Sequence, residues 1–192
     1  SCGTCSACKN NRPNACEFNQ TMGVQKDGGM TEYLVVPWEK VIADPDISLR
    51  DFALVEPMSV GFHAVNRAMV SKTDTVMVIG CGMIGLGAIV AAALRGAVVI
   101  AVDVDNHKLE LAKGLGASYA INSLTEDLHE RTKALTNNHG ADVIIEAVGR
   151  PETYTAAVME VAFTGRVVFI GYAKEKIAFV NDELTKWERI SL

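Results

Sequence analysis

Short apolar runs alternate with helical patterns along the chain beyond Asp74. The predicted strands are residues 75–79, 98–102, 118–121, 142–148 and 166–170, and the predicted helices are residues 86–94, 108–115, 127–136 and 151–162. Strands that are apolar throughout and separated by helices indicate a parallel sheet covered on both faces. We therefore predict an α/β fold with a doubly wound parallel sheet over residues 59–192.

The first 58 residues follow a different pattern, which is irregular and β-rich. A turn over residues 26–29 precedes a predicted strand at 33–36, and Pro37 ends that strand because proline cannot donate to a ladder. This stretch is too short to bury a core alone. We expect residues 1–58 to be part of a larger domain.

Four of the five cysteines lie within the first sixteen residues, at Cys2, Cys5, Cys8 and Cys16. Two-residue gaps let a turning backbone aim successive sulfurs at one point, and the longer gap lets the chain return with a fourth sulfur. Four thiolates predict a closed, structural zinc site, with Lys9 and Arg12 placed to offset its negative charge. Two disulfides or an iron–sulfur cluster are the alternatives.

A glycine-rich turn follows the first predicted strand of the sheet. Gly80, Gly82 and Gly85 form G-x-G-x-x-G between a strand and a helix, and Asp103 lies 23 positions after Gly80 at the end of the next strand. Such a turn lets backbone amides approach a pyrophosphate at a helix N-terminus, and the acidic residue binds the adenosine ribose. Asp103 would accept hydrogen bonds from both ribose hydroxyls and repel a 2′-phosphate, so NAD is favoured over NADP. A glycine turn used only for packing is the alternative.

Composition narrows the class of protein. The chain of 192 residues is 49% hydrophobic, 21% charged and 6% aromatic, with a net charge of -5 and no basic run, which argues against nucleic acid as a partner. The uncharged stretch 76–94 is long enough to span a membrane, but its four glycines favour a strand and a buried helix. Because no leader precedes Ser1, we expect a cytoplasmic protein.

Four segments of the chain carry a family resemblance: the cysteine loop (residues 2–16), Gly28–Tyr33, Val55–Ala64 and Val78–Gly85. They occur in the family's order, and through them the chain resembles the zinc-dependent medium-chain alcohol and polyol dehydrogenases along its whole length. The Glu56-Pro57 pair is similar to sorbitol, threonine and sugar-acid dehydrogenases. The resemblance implies a partial GroES-like catalytic domain over residues 1–58 and a C-terminally truncated Rossmann domain over 59–192.

The resemblance also implies particular site residues. Glu56 would be a third ligand of a catalytic zinc or contact it through water. The alternative is an ordinary carboxylate just before a helix start, where the helix dipole stabilises a negative charge. His63 is more typical of a packed helix residue than of a ligand. The cofactor groove would further be lined by Met83, Ile84, Lys108, Ala147, Val148, Ile170 and Gly171.

These features predict an enzyme that transfers a hydride from a secondary alcohol of a polyol or sugar acid to NAD. By resemblance, a cysteine and a His-Glu pair of a preceding segment would complete the catalytic zinc site, so we expect this chain to be an internal fragment that is inactive alone. The alternatives are a threonine-type amino-alcohol dehydrogenase and an inactive module that binds NAD and zinc. We expect the complete protein to be a homo-oligomer.

Overall fold

A computed structural model describes residues 1–179, 184 and 190–191. The chain divides into two compact units, Ser1–Asp46 and Ile47–Leu192. The sequence-based boundary after residue 58 falls inside a helix of the second unit, Leu49–Arg67. The extent of the domains in the complete protein stays a prediction.

Short turns make up most of the first unit. Its regular elements are helix α1 (Ser6–Lys9) and 3-10 turns at Pro13–Ala15 and Trp38–Lys40. The predicted strand at residues 33–36 is wrong, because within residues 1–46 the structure shows no ladder and only an isolated bridge between Met22 and Lys26. A strand needs a neighbour for its backbone groups, and the side chains of Tyr33 and Val35 are almost fully exposed.

The second unit is a six-stranded parallel sheet with helices between the strands. Its helices are α2 (Leu49–Arg67), α3 (Met83–Leu94), α4 (Asn106–Gly114), α5 (Leu128–Leu135) and α6 (Pro151–Glu160). Its strands are β1 (Thr75–Ile79), β2 (Val98–Asp103), β3 (Tyr119–Asn122), β4 (Ala141–Glu146), β5 (Val161–Phe169) and β6 (Ile190–Ser191). The order β3-β2-β1-β4-β5-β6 confirms the predicted doubly wound sheet, and its direction reverses between β1 and β4.

Alternate residues of each strand fill two separate apolar clusters. In β1, Val76 and Val78 pack in the cluster that also contains Ile89 of α3. Met77 and Ile79 pack in the other cluster, together with residues of β4 and α6. Because successive strand side chains point to opposite faces, a strand that is apolar at every position can be buried on both sides.

Helix α2 begins earlier than the sequence suggested. Ser48 caps it, since its hydroxyl accepts a hydrogen bond from the amide of Asp51 at 3.1 Å. The helix continues through Pro57, although the proline ring removes one backbone donor and crowds the carbonyl of Ala53, four residues earlier. Glu56 therefore lies within the helix, and the prediction that it precedes a helix start is wrong.

None of the helices in the described ranges is long and apolar enough to cross a lipid bilayer. The uncharged stretch at residues 76–94 instead forms most of β1, the glycine-rich turn and α3, as predicted.

Candidate functional site: a strand-end crevice and a four-sulfur loop

A cavity of about 290 Å³ opens at the carboxyl ends of β1, β2 and β4. It is lined by Ile79, Gly80, Gly82, Val102, Asp103, Val104, Lys108, Ser123, Ala147, Val148, Arg150 and Thr153. The cavity therefore lies where the strand order reverses, which is the place where open α/β sheets bind ligands.

The glycine-rich turn shapes one wall of this cavity. Gly80 has φ +96°, a backbone conformation that side chains rarely adopt, and a Cβ at Gly85 would collide with the carbonyl oxygen of Gly80. A Cβ at Gly82 would meet no atom within 4 Å, so the backbone there faces open space. The turn thus combines tight internal packing with one exposed stretch of backbone that a ligand can approach.

Helix α3 points its N-terminus at the same space. It begins at Met83, no side chain caps it, and its first turn contains no acidic residue. The first amides of a helix lack intrahelical acceptors and carry partial positive charge. This helix end can therefore hold an anionic group such as a pyrophosphate.

Asp103 ends β2 with a carboxylate that is held from two sides. Its Oδ2 accepts a hydrogen bond from the amide of Cys81 at 2.7 Å, which ties the strand end to the glycine-rich turn. Its Oδ1 accepts from the amides of Val104 at 2.8 Å and Asp105 at 3.0 Å. Since a carboxylate has about four acceptor positions, about one remains for a ribose hydroxyl, rather than the two expected from the sequence.

Two neighbours of Asp103 respond to its charge. The ammonium of Lys108 lies 4.0 Å from Oδ1 and remains about half exposed. Burial, reinforced by the negative charge of Asp103, raises the pKa of the Cys81 thiol to about 12. Cys81 is therefore an uncharged thiol, and Lys108 is a half-exposed cation beside the carboxylate of Asp103.

Six of the predicted groove residues line this single cavity: Gly80, Gly82, Asp103, Lys108, Ala147 and Val148. Gly85 lies buried behind the turn, Met83 and Ile84 occupy the first turn of α3, and Ile170 and Gly171 follow β5. Sequence analysis missed Ser123, Arg150 and Thr153. All three come shortly after a strand end, and this position was the available signal.

The structure brings the four cysteine sulfurs of the first unit together. The sulfurs of Cys2, Cys5, Cys8 and Cys16 all lie within 4.8 Å of one another, and those of Cys5 and Cys16 are 3.9 Å apart. Zinc–sulfur bonds of about 2.3 Å in a tetrahedron require about 3.8 Å between sulfurs. All four are free thiols, so the predicted alternative of two disulfides is absent from these residues.

Backbone amides turn toward the sulfurs. Cys2 Sγ accepts hydrogen bonds from the amides of Thr4 at 3.4 Å and Cys5 at 3.3 Å, and Cys16 Sγ accepts from the amide of Cys2 at 3.3 Å. The Thr4 hydroxyl and these amides lower the pKa of Cys2 to about 6, whereas desolvation raises the pKa of Cys8 to about 11. The spacing fits one ion, because a cluster would have to place several irons between the sulfurs.

Glu56 and His63 lie on α2 and are both exposed. Throughout the part of the chain that the structure describes, the cysteines form the only group of three or more side chains placed to share a metal ion. The described residues therefore do not assemble a second metal site around Glu56.

An open parallel sheet with a ligand crevice at its reversal point defines the class of doubly wound α/β proteins to which dinucleotide-binding domains belong. The chain belongs to the zinc-type medium-chain alcohol dehydrogenase family. Residues 84–191 match the family described as zinc-binding dehydrogenase, and residues 1–46 match the alcohol dehydrogenase GroES-like domain.

Individual relatives agree with this assignment. The chain is 36% identical to sorbitol dehydrogenase from Bacillus subtilis over 173 residues, which are 88% of this chain and 49% of that protein. Relatives of similar identity include L-galactonate-5-dehydrogenase and L-threonine 3-dehydrogenase. The chain spans about half the length of the curated relatives it matches.

Two solved structures superpose on the whole chain. The alcohol dehydrogenase rspB from Escherichia coli, complexed with NADH, has a TM-score of 0.90 at 28% identity, and the match covers 57% of that chain. A zinc-binding dehydrogenase from Sinorhizobium meliloti, bound to NADP, has a TM-score of 0.91 at 29% identity, and the match covers 58% of that chain. The family thus includes proteins with either dinucleotide.

Proposed function

We propose that the complete protein is an NAD-dependent zinc dehydrogenase that oxidises a secondary alcohol of a polyol or sugar acid. The carboxylate of Asp103 beside the glycine-rich turn carries the choice of NAD, and the similarity to sorbitol and L-galactonate-5-dehydrogenases supports the substrate class. In NAD-dependent Rossmann domains an acidic residue in this position binds the adenosine ribose and disfavours a 2′-phosphate. Once bound, the nicotinamide supplies the hydride acceptor.

The residues of this chain would bind and orient the cofactor. The N-terminus of α3 and the open backbone at Gly82 would hold the pyrophosphate, and Asp103 would bind one ribose hydroxyl. Lys108, whose ammonium lies 4.0 Å from Oδ1 of Asp103, would contact the same ribose. Ala147 and Val148 line the opposite side of the cavity, and Met83, Ile84, Ile170 and Gly171 stay proposed contacts of the groove.

The four cysteines would hold a structural zinc. Four thiolates close the coordination shell, so this site would stabilise the loop and leave no position for substrate. Glu56 stays a proposed ligand, direct or through water, of a catalytic zinc in the complete protein. Because no second ligand group surrounds Glu56 among the described residues, we assign no catalytic step to this chain alone and propose that it binds NAD without oxidising alcohols.

Calorimetric titration of the chain with NAD and NADP tests the cofactor proposal. We expect NAD to bind at least about tenfold more tightly, a difference of roughly 1.4 kcal/mol. Asp103→Asn should remove most of this preference, because it removes the negative charge that opposes a 2′-phosphate. The control is Asp105→Asn, which changes a neighbouring exposed carboxylate whose Oδ1 caps α4. Tighter binding of NADP to the unmodified chain would contradict the proposal.

Rates of the complete protein with sorbitol, galactonate and threonine test the substrate class. We expect the polyol or the sugar acid to be oxidised fastest, and threonine as the best substrate would support the amino-alcohol alternative instead. A homo-oligomeric complete protein and a cytoplasmic location also stay predictions.

A further inference from the structure

Glu146 is the last residue of β4, in the middle of the sheet, and its side chain is fully buried at 0% exposure. A buried carboxylate is expensive to maintain, and an apolar side chain of similar size is often at least as stabilising. Its Oε2 atom is buried and has no hydrogen-bond partner among the described residues. Stability alone therefore does not account for a carboxylate at this position.

The other oxygen of this carboxylate organises the loop after β4. Glu146 Oε1 accepts hydrogen bonds from the amides of Val148 and Gly149, both at 2.9 Å, and from the hydroxyl of Thr153 at 2.7 Å. Val148 and Thr153 both line the strand-end cavity. One buried acceptor thus fixes the path of the backbone along one wall of the crevice.

Glu146 also holds the loop after β5. Its backbone carbonyl accepts from the amides of Ile170 at 2.9 Å and Gly171 at 3.0 Å. A Cβ on Gly171 would lie 2.5 Å from Oε2 and would collide with the amide nitrogen of Gly149. The loops that follow β4 and β5 are therefore packed backbone against backbone around Glu146, and they should move as one body.

These two loops lie on one side of the point where the strand order reverses. Asp103 ends β2 on the opposite side of β1. A dinucleotide bound across such a reversal point places its adenosine over one half of the sheet and its second nucleotide over the other. With the adenosine at Asp103, the nicotinamide half lies over the ends of β4 and β5.

We propose that Glu146 is a positioning residue for the nicotinamide half of the cofactor, acting through the loops 147–149 and 170–171. This inference rests on the proposed function, since it assumes that the crevice binds NAD. It requires an acceptor oxygen at Oε1 rather than a negative charge or a particular volume. Removing that oxygen would leave the amides of Val148 and Gly149 unpaired, whereas the Thr153 hydroxyl would keep the carbonyl of Arg150 as an acceptor at 2.9 Å. The loop after β4 would then be free to move.

Two variants separate these requirements. Glu146→Met keeps the approximate volume and removes the acceptor, whereas Glu146→Gln keeps an oxygen for the same three donors. Binding of NAD and of ADP-ribose, which lacks the nicotinamide, is measured by calorimetry on the full chain. Glu160→Met is the matched control, because Glu160 is also a buried glutamate but pairs with His129 Nδ1 at 3.0 Å, outside the residues that line the crevice.

We expect Glu146→Met to weaken NAD binding about tenfold, equivalent to roughly 1.4 kcal/mol. ADP-ribose binding should fall less, by about threefold at most, because Val148 and Thr153 line the cavity with Asp103 but the loop 170–171 would contact only the nicotinamide half. Glu146→Gln should restore NAD binding to within about threefold of the unmodified chain, and Glu160→Met should affect neither ligand. If circular dichroism shows that Glu146→Met does not fold, Thr153→Val removes one of the three donors and should give a smaller loss of the same kind.

Unchanged NAD binding in Glu146→Met, or an equal loss of NAD and ADP-ribose, would overturn the inference and leave the proposed function standing. An equal loss would mean that Glu146 only stabilises the fold. Failure of the unmodified chain to bind either ligand would overturn the proposed function and this inference together.

Discussion

The two compact units are ordered by different means. In residues 1–46, all of which the structure describes, only Cys5 and Cys16 are buried. The second unit instead buries two apolar clusters on opposite faces of its sheet. A segment as short as the first unit cannot bury enough apolar surface for stability, and in such segments metal ligation commonly replaces a core. Within this chain, the first unit is ordered around four sulfurs, whereas the second is ordered around two apolar clusters.

The largest expected difference between the two units is their response to removal of the metal. A chelator should unfold the cysteine loop, because structural zinc contributes on the order of 10 kcal/mol or more to small zinc-binding peptides at pH 7. Hydrogen exchange measures this unfolding at the amide of Lys9, which donates a hydrogen bond to the carbonyl of Cys5 in the first unit. The amide of Gly80, which donates to the carbonyl of Val102, is the reference in the second unit. We expect only Lys9 to lose protection. Equal loss at both amides, or at neither, would contradict the comparison.

Thiol chemistry should differ by orders of magnitude between the units in the metal-free chain. Without the metal the cysteine loop unfolds, so Cys2 becomes an ordinary exposed thiol with a pKa of about 8.5, whereas burial in the second unit raises the pKa of Cys81 to about 12. The thiolate is the reactive form, so at pH 7.5 Cys2 should alkylate about 10³-fold faster than Cys81.

Mass spectrometry after timed iodoacetamide treatment measures both rates in one sample. Lowering the pH below about 8.5 should slow Cys2 as its thiolate takes up a proton, while Cys81 should react appreciably only as the pH approaches 12. Comparable rates at neutral pH would show that the glycine-rich turn opens freely to solvent.

Core truncation should weaken the second unit through lost apolar packing. Ile89 of α3 is fully buried in one of the two clusters, and Ile89→Ala should lower the free energy of unfolding by about 2–5 kcal/mol. Leu94 on the same helix is 76% exposed, so Leu94→Ala should change it by less than about 0.5 kcal/mol. Urea denaturation followed at the second unit measures both. Similar values for the two variants would mean that the cluster is loosely packed.

The smallest effect concerns the backbone of β5. Thr164 has φ +60° and is exposed, beside a shift in the register between β4 and β5. A β-branched residue is strained in this conformation, so Thr164→Gly should raise the free energy of unfolding by about 0.5–1 kcal/mol. Thr155→Gly in α6 should lower it instead, because glycine is a poor helix former. A loss of stability in Thr164→Gly would show that the hydroxyl or methyl group makes a compensating contact.

The sequence predicted the second unit well because its signals are local. The apolar runs at β1, β2 and β4 and the glycine turn each carry their own structural requirement, and the predicted doubly wound parallel sheet is confirmed. The cysteine spacing likewise predicted four converging sulfurs. In each case a few adjacent residues determine the local geometry.

Features that depend on residues far apart in the chain could not be predicted from the sequence. The residues at 33–36 have strand-like composition but no neighbouring strand, and pairing is a property of two segments rather than one. The start of α2 was missed because Ser48 caps the helix well before Pro57. A proline is common in the first turn of a helix, so Glu56-Pro57 has the appearance of a helix start. Glu146 belongs to no recognisable sequence motif, because its hydrogen bonds to the loops after β4 and β5 are visible only in the folded structure.

The strand order has a consequence for synthesis of the chain on the ribosome. The inner strand β1 pairs with β2 about twenty residues later, but its other edge pairs only with β4, as in Met77 opposite Ile144. Because the ribosome adds about 5–20 residues per second, that edge of β1 stays unpaired for several seconds until β4 has been synthesised. The nascent half-sheet β3-β2-β1 therefore exposes an unpaired strand edge, which is the kind of surface that makes folding intermediates prone to aggregate.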